Sequence, residues 1–347
     1  MEENNRGTKD YSKSLMKVLI FIILVIAIVL GVYYINNKMN EGTKVSNTIK
    51  TQNTIANEVK NENTVTNTVK ETNTTEKFRM TEAEFPKVDG ATAMLPMVGE
   101  ITKAVLGFTE AQAQKYLDEN TQGKSAKVYA SLINKEKDLI FVSEPSDDIL
   151  RQAQNAGVEF DNTGIGLDGF VFLINKNNPV ESLTLEQIRD IYTGKITNWK
   201  DVGGEDAEIF PYQREQNSGS QNLMEKMVMK GEKMAPAKSS DMQIESMSGL
   251  IDSVANGDNS RYSIGYSIYL YAKEQYVKDS VKFVKINGVS ATDENITNKT
   301  YPLTKIVYAV TRKDVPQESS ARKLIKWLLT PAGQKVVEAG GYVKLYK

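Results

Sequence analysis

Gly169–Met229, GFVFLINKNNPVESLTLEQIRDIYTGKITNWKDVGGEDAEIFPYQREQNSGSQNLMEKMVM, is the stretch whose reading decides the fold. Gly169–Asn175 is a short apolar run of the kind that forms a buried strand, and Lys176-Asn-Asn-Pro179 closes it. Ser182–Tyr192 has a helical period: Leu185, Ile188 and Ile191 fall on one face, Thr184 stands at the N-cap position and Gly194 lies just past the end. Glu208–Gln213 reads as a second strand, with Pro211 marking an edge or an end. Working outward, Asp138–Val142 and Leu303–Val310 are further strand candidates, and Ser320–Leu329 and Pro331–Ala339 two C-terminal helices. Strands alternating with helices predict an α/β fold with mostly parallel sheets, in which ligands sit at the carboxyl ends of strands.

That rule gives weight to the residues just after the Glu208–Gln213 strand. Arg214 comes first, then Asn217-Ser-Gly-Ser220, then a helix with Leu223, Met224, Met227 and Val228 on one stripe. A helix N-terminus presents unpaired N–H groups and partial positive charge, which suits an anion. Glycine lets a ligand approach the backbone, serine hydroxyls donate, and arginine offers a planar fork for an oxyanion. The same pattern would also serve a plain serine cap beside a solvated arginine. Two other strand ends carry similar residues. Lys87–Pro96 holds Asp89, Gly90 and Thr92 in a strand-turn, and Ser143-Glu144-Pro145-Ser146 comes directly after the Asp138–Val142 strand. A carboxylate such as Glu144 fits an anion site only if the anion keeps a proton to donate.

Composition narrows the chemistry. The formal net charge is −1, with no basic excess for nucleic acid. There is no cysteine and no histidine among the 347 residues, which excludes disulfides, thiol nucleophiles, Ser-His-Asp triads and Cys- or His-bound metals. A hydrolase would need metal-clustered carboxylates or an activated nucleophile, and the sequence has no dense Asp cluster. The sequence therefore predicts no enzyme and no cofactor.

The N-terminal quarter is of another kind. Val18–Ile35 is uncharged and long enough to cross a bilayer as a helix, and no small-residue cleavage pattern comes after it. Arg6, Lys9, Lys13 and Lys17 precede it, which places residues 1–17 in the cytoplasm and the rest of the chain outside. Residues 45–74 are three copies of a ten-residue unit, VSNTIKTQNT, IANEVKNENT and VTNTVKETNT. Two apolar residues per unit cannot build a core, so residues 36–80 read as a solvated, disordered stalk.

"VDGATAMLP", "DLIFVSEPSDDIL", the long central stretch and "SIGYSIYLYA" occur in that order. Together they resemble the phosphate-binding solute receptors of high-affinity phosphate ABC importers, over nearly all of residues 81–347. The resemblance implies a type II periplasmic-binding-protein fold, α/β, with two lobes, two crossing strands and a ligand cleft between the lobes. Residues 81–168 and 308–347 would form lobe I and 169–307 lobe II, with crossings near Phe170–Ile174 and Tyr301–Val310. Phosphate would be held by Thr92, Ser125, Ser143 and Glu144 from the first lobe, Glu144 accepting its proton, and by Arg214, Ser218, Gly219 and Ser220 from the second. Asp168 would line the hinge or cleft. The partners implied are inorganic phosphate and ABC permease subunits, and the protein would act as a monomer. The sequence departs from the family pattern at Ala91, where a serine is usual, at Met94, where a polar residue often stands, and at Leu167, where relatives carry arginine. These departures point to the other reading of the same fold, an extracytoplasmic sensor or adaptor for a different oxyanion or small ligand.

Overall fold

The structure is a computed structural model that describes residues 78–345. The expected anchor at 18–35 and the repeats at 45–74 lie outside the described residues. Among the described residues no helix is long and apolar enough to cross a membrane.

In chain order the first elements are β1 (Val88–Gly90), α1 (Leu95–Leu106), α2 (Glu110–Asn120), α3 (Ser125–Ile133), β2 (Leu139–Val142) and α4 (Asp147–Asn155). Next come β3 (Phe160–Asn175), β4 (Ser182–Leu183), α5 (Leu185–Thr193), β5 (Phe210–Pro211), β6 (Gln213–Arg214) and α6 (Gly219–Leu223). The chain continues through β7 (Gln243–Ile244), α7 (Met247–Asn256), β8 (Ser263–Ile268), β9 (Val281–Phe283), β10 (Lys285–Ile286) and α8 (Asp293–Thr297). It ends with β11 (Thr304–Arg312), α9 (Ser320–Leu328), α10 (Pro331–Ala339) and β12 (Val343–Lys344). Local chemistry sets the helix ends. Thr184 and Gln187 form a capping box at the start of α5, and left-handed Gly194 ends it.

One sheet of eight strands has the order β1-β2-β11-β3-β8-β5, with β12 and β9 also on β3. Its outer pairs, β1 with β2 and β5 with β8, are parallel. The expectation of mostly parallel sheets fails at the centre, where β3 and β11 run antiparallel to each of their partners. These two long strands pass between cores in opposite directions, and antiparallel pairing is what such a double crossing produces. From Phe160 to Gly169, β3 pairs with β11; from Phe170 to Ile174 it pairs with β8.

Two hydrophobic clusters result. One gathers Met97, Ile101, Ile140, Phe141, Ile165, Val307 and Leu324. The other gathers Phe170, Phe172, Tyr192, Trp199, Leu250, Tyr266 and Tyr301. β3 changes from the first to the second between Ile165 and Leu167, and β11 with its leading turn changes back between Leu303 and Val307. The chain thus makes two α/β lobes joined by a pair of strands.

Candidate functional site

A cavity of about 460 Å³ lies where β1, β2 and β6 end, between the two cores. The residues at its wall include the first residues of four helical segments: Thr92–Met94 ahead of α1, Ser125–Lys127 of α3, Ser218–Ser220 at α6 and Ser246–Ser248 at α7. The first N–H groups of a helix have no intrahelical acceptor and carry its positive end. Four such ends turn their first N–H groups toward one cavity, beside the basic side chains Lys124, Lys127 and Arg214.

Each end is fixed by its own chemistry. Buried Asp89, at the end of β1, accepts from the N–H of Gly90 at 2.7 Å and of Gln122 at 3.0 Å, which ties β1 to the loop before α3. Gly123 of that loop takes the Thr92 hydroxyl at 2.7 Å. Burial pushes the Asp89 carboxyl up from its ordinary value, while the two N–H donors pull it down. Ser218 caps α6, accepting from Gln221 N–H at 3.2 Å. A Cβ on Gly219 would lie 2.8 Å from Ser125 Oγ, so glycine lets α6 come this close to α3 across the cleft without turning that hydroxyl away.

Arg214 supplies the one buried arginine of the cavity wall, 6% exposed. Its Nε donates to Ile244 O at 3.0 Å, Nη1 to Ser220 Oγ at 2.9 Å and Nη2 to Glu245 O at 2.6 Å. Three of its N–H groups are used this way, and the rest remain for a ligand. It forms no ion pair among the described residues, and the neighbouring Glu245 carboxylate is bound to Lys124 instead. Burial pushes the guanidinium down from its ordinary pKa. Glu215 and Glu245 offset part of that burial cost from a distance, and a buried cation without a directly paired carboxylate would be stabilised further by a bound anion.

Of the residues read from the sequence, Thr92, Ser125, Ser143, Arg214, Ser218, Gly219 and Ser220 all reach this cavity. Glu144 does not. Its side chain is exposed and accepts from Tyr308 Oη at 3.3 Å, while its backbone carbonyl accepts from Asn222 Nδ2 at 2.8 Å. The chain turns outward at Glu144 to make that cross-lobe contact, and the turn carries the carboxylate away from the wall. Two carboxylates do line this cavity: Glu245 at the rim, engaged with Lys124, and Glu215 next to Arg214.

Lys305 is a buried cation behind the cavity wall that the sequence reading missed. It is buried on β11, 3.3 Å from Ser143 Oγ and 3.7 Å from Asp168 Oδ2 on β3. Its signal was present in the strand alternation: Lys305 is in phase with inward Val307 and Ala309, while Ile306 faces out. Because an ammonium only donates, Ser143 Oγ accepts from Lys305 and keeps its own proton free to donate toward the cavity. Burial raises the Asp168 carboxyl and lowers the Lys305 ammonium from their ordinary values, each opposing cause being the other's charge.

Residues 50–332 match a family described as a PBP superfamily domain. The chain is 26% identical over 271 residues to the phosphate-binding protein PstS of Staphylococcus saprophyticus, spanning 75% of this chain and 80% of that protein. It is 24% identical over 260 residues to PstS of Borreliella burgdorferi, spanning 74% of this chain and 88% of that one. Among solved structures it is similar to a candidate phosphate ABC transporter substrate-binding protein of Clostridium perfringens with bound phosphate. That likeness has 32% identity and a TM-score of 0.56, and covers 74% of this chain and 98% of the other. The two lobes, the crossing strands and this similarity place the chain in the PBP superfamily, in the family of phosphate ABC transporter substrate-binding proteins.

Proposed function

We propose that the protein is a receptor, not an enzyme, that captures inorganic phosphate outside the cell and delivers it to an ABC permease. The observation that carries this reading is Arg214, a buried guanidinium without a carboxylate partner, set among four helix N-termini in a cleft between lobes. Thr92, Ser125 and Ser143 act from one lobe and Arg214, Ser218, Gly219 and Ser220 from the other. The N–H groups at Thr92 and Ala93, and those opening α3 and α6, add donors where hydroxyls are few. Lobe closure brings the two sets together around a dehydrated anion. Contacts across the cleft support that motion: Lys124 with Glu245, Ser146 Oγ with Asn217 Oδ1 at 3.1 Å, and Lys226 Nζ to Pro145 O at 2.8 Å. In this reading residues 81–168 with 308–347 and residues 169–307 are the moving bodies. The uncharged run at 18–35 is a membrane anchor and 36–80 a stalk, so the receptor works as a tethered monomer.

The test is calorimetry on the full-length protein with phosphate, sulfate and a panel of small organic anions. Saturable, one-to-one phosphate binding is expected. Binding of sulfate alone, or of no anion, would refute the assignment.

A further inference from the structure

An inorganic phosphate would use only part of this cavity. At no more than roughly 30 Å³ for each heavy atom, the share of a liquid water, its five heavy atoms fill at most about 150 Å³, a third of the 460 Å³ available. The surplus is not a gap left by separated lobes. Hydrogen bonds already cross the cleft at Asn222–Glu144 and Lys226–Pro145, Lys124 already meets Glu245 at the rim, and Gly219 already abuts Ser125.

The walls of the cavity differ in chemistry. The polar groups gather where α3, β6 and α6 meet: Ser125, Ser143, Arg214, Ser218 and Ser220. The opposite side carries the apolar residues Ala91, Ala93, Met94, Met247, Ile268 and Tyr271, with Thr92, Ser246 and Ser248 between them and the charged rim residues Lys124, Lys127, Glu215 and Glu245 around them. Alanine and methionine stand at the turn ahead of α1, where side-chain donors would be needed to surround a bare oxyanion. The Tyr271 ring is braced by stacking on Tyr276, whose hydroxyl is held by Asp252 at 2.6 Å. A rigid aromatic and two methionines form a surface for carbon, not for water or for an oxyanion. A cavity of this size, largely apolar with a few convergent polar groups, is of the kind that holds an organic molecule.

We infer that the site also admits, and binds more tightly than inorganic phosphate, a small organic phosphate monoester or phosphonate. Its phosphoryl head lies on Arg214 and the helix ends, and its organic substituent lies against Met94, Met247, Ile268 and Tyr271. This inference rests on the anion-receptor reading above. A monoester keeps three phosphoryl oxygens for the donors and turns its fourth, bridging oxygen toward the apolar wall, where no donor is asked for.

The experiment is calorimetric titration of the full-length protein with inorganic phosphate, n-butyl phosphate and phenyl phosphate at one pH and ionic strength. Two methylenes buried on the apolar wall strengthen binding by about tenfold, so n-butyl phosphate should exceed inorganic phosphate by at least that factor. Met247→Ser should cost the ester at least about fivefold more than it costs phosphate. Phosphate binding with both esters weaker would overturn this inference and leave the phosphate receptor intact. Equal losses for ester and phosphate in Met247→Ser would overturn it as well. Binding of none of the three would remove both readings.

Discussion

Arg214 and Lys305 are both buried cations, and they differ in what balances them. Lys305 has Asp168 at 3.7 Å; Arg214 has backbone carbonyls, a serine and no carboxylate. The one without a directly paired carboxylate is the one available for a ligand's charge. Replacing Arg214 with methionine should weaken phosphate binding by at least about 1.5 kcal/mol, roughly tenfold, because a charge-assisted hydrogen bond is lost. Lysine at the same position keeps the charge without the fork and should recover part of the affinity. Equal losses in the two folded variants would show that charge is not what Arg214 contributes. For Lys305, removal of one partner matters more than the pair's net worth. Lys305→Met leaves Asp168 buried and alone, which should cost about 3–5 kcal/mol near neutral pH, whereas Lys305→Met with Asp168→Asn should recover most of it. Burial sets the sign of the pH dependence. Asp168 already stands above its ordinary value of 3.8, and the loss of Lys305 removes the main cause that lowers it. Between 3.8 and that raised value the folded state binds the proton and the unfolded state does not, so stability falls as pH rises through the window. Urea denaturation of Lys305→Met should therefore show its smallest deficit near about pH 4 and a growing one toward neutrality, with no such slope in the double variant. A deficit that does not change with pH would mean that Lys305 does not set the titration of Asp168 in the folded protein.

Among the elements, those with strong local signals were legible in the sequence, and those set by distant partners were not. α5 was legible because Thr184, Gln187 and Gly194 write its ends, and β2 and the second half of β3 because they are short apolar runs. The first half of β3 was not read as a strand. Phe160–Asp168 contains Asp161, Asn162, Gly164 and Gly166, residues that disfavour strands. Its pairing with β11 overrides them, and glycine is needed because a Cβ on Gly166 would lie 3.0 Å from Val337 Cγ1 and 3.2 Å from Val343 O. The wall of the candidate site was legible where a loop leaves a strand and opens a helix, as at Arg214–Ser220. It was misread at Glu144, since sequence order does not say which way a turn points its side chain. The meeting of α3 and α6 shows how closely two such helix starts are fitted. Gly219→Ala would drive a methyl toward Ser125 Oγ and force either that hydroxyl to turn away or the lobes to part there. We expect about a tenfold loss of phosphate affinity, with the ligand-free thermal midpoint nearly unchanged, because the strain falls on closure and not on either core. Ser125→Ala in the same chain should relieve part of it. Full affinity in Gly219→Ala would show that this approach is not needed for binding.

Two cores joined by two strands could unfold separately or together, and a ligand that touches both lobes bears on which. β3 and β11 are shared: each contributes residues to both clusters and they pair along Phe160–Gly169 and Thr304–Arg312. That pairing couples the lobes through backbone, while the contacts at Lys124–Glu245 and Asn222–Glu144 couple them only when the cleft is closed. In the proposed binding mode, a ligand held by Arg214 on one side and by Ser143 and the Thr92 turn on the other would add the same kind of coupling. Phosphate at a hundred times its Kd stabilises the folded state by about 2.7 kcal/mol. For a folded region of this size, with about 2 cal/mol/K per residue of unfolding entropy, that is a rise in midpoint of about 5 °C. Calorimetric scanning of the full-length protein should show this rise as a single shifted transition, because the ligand is lost as soon as either lobe opens. Two transitions, only one of them moved by phosphate, would place the whole binding energy in one lobe and refute capture by closure. An unmoved midpoint with binding established by titration would show that the unfolded chain binds phosphate as well as the folded one does.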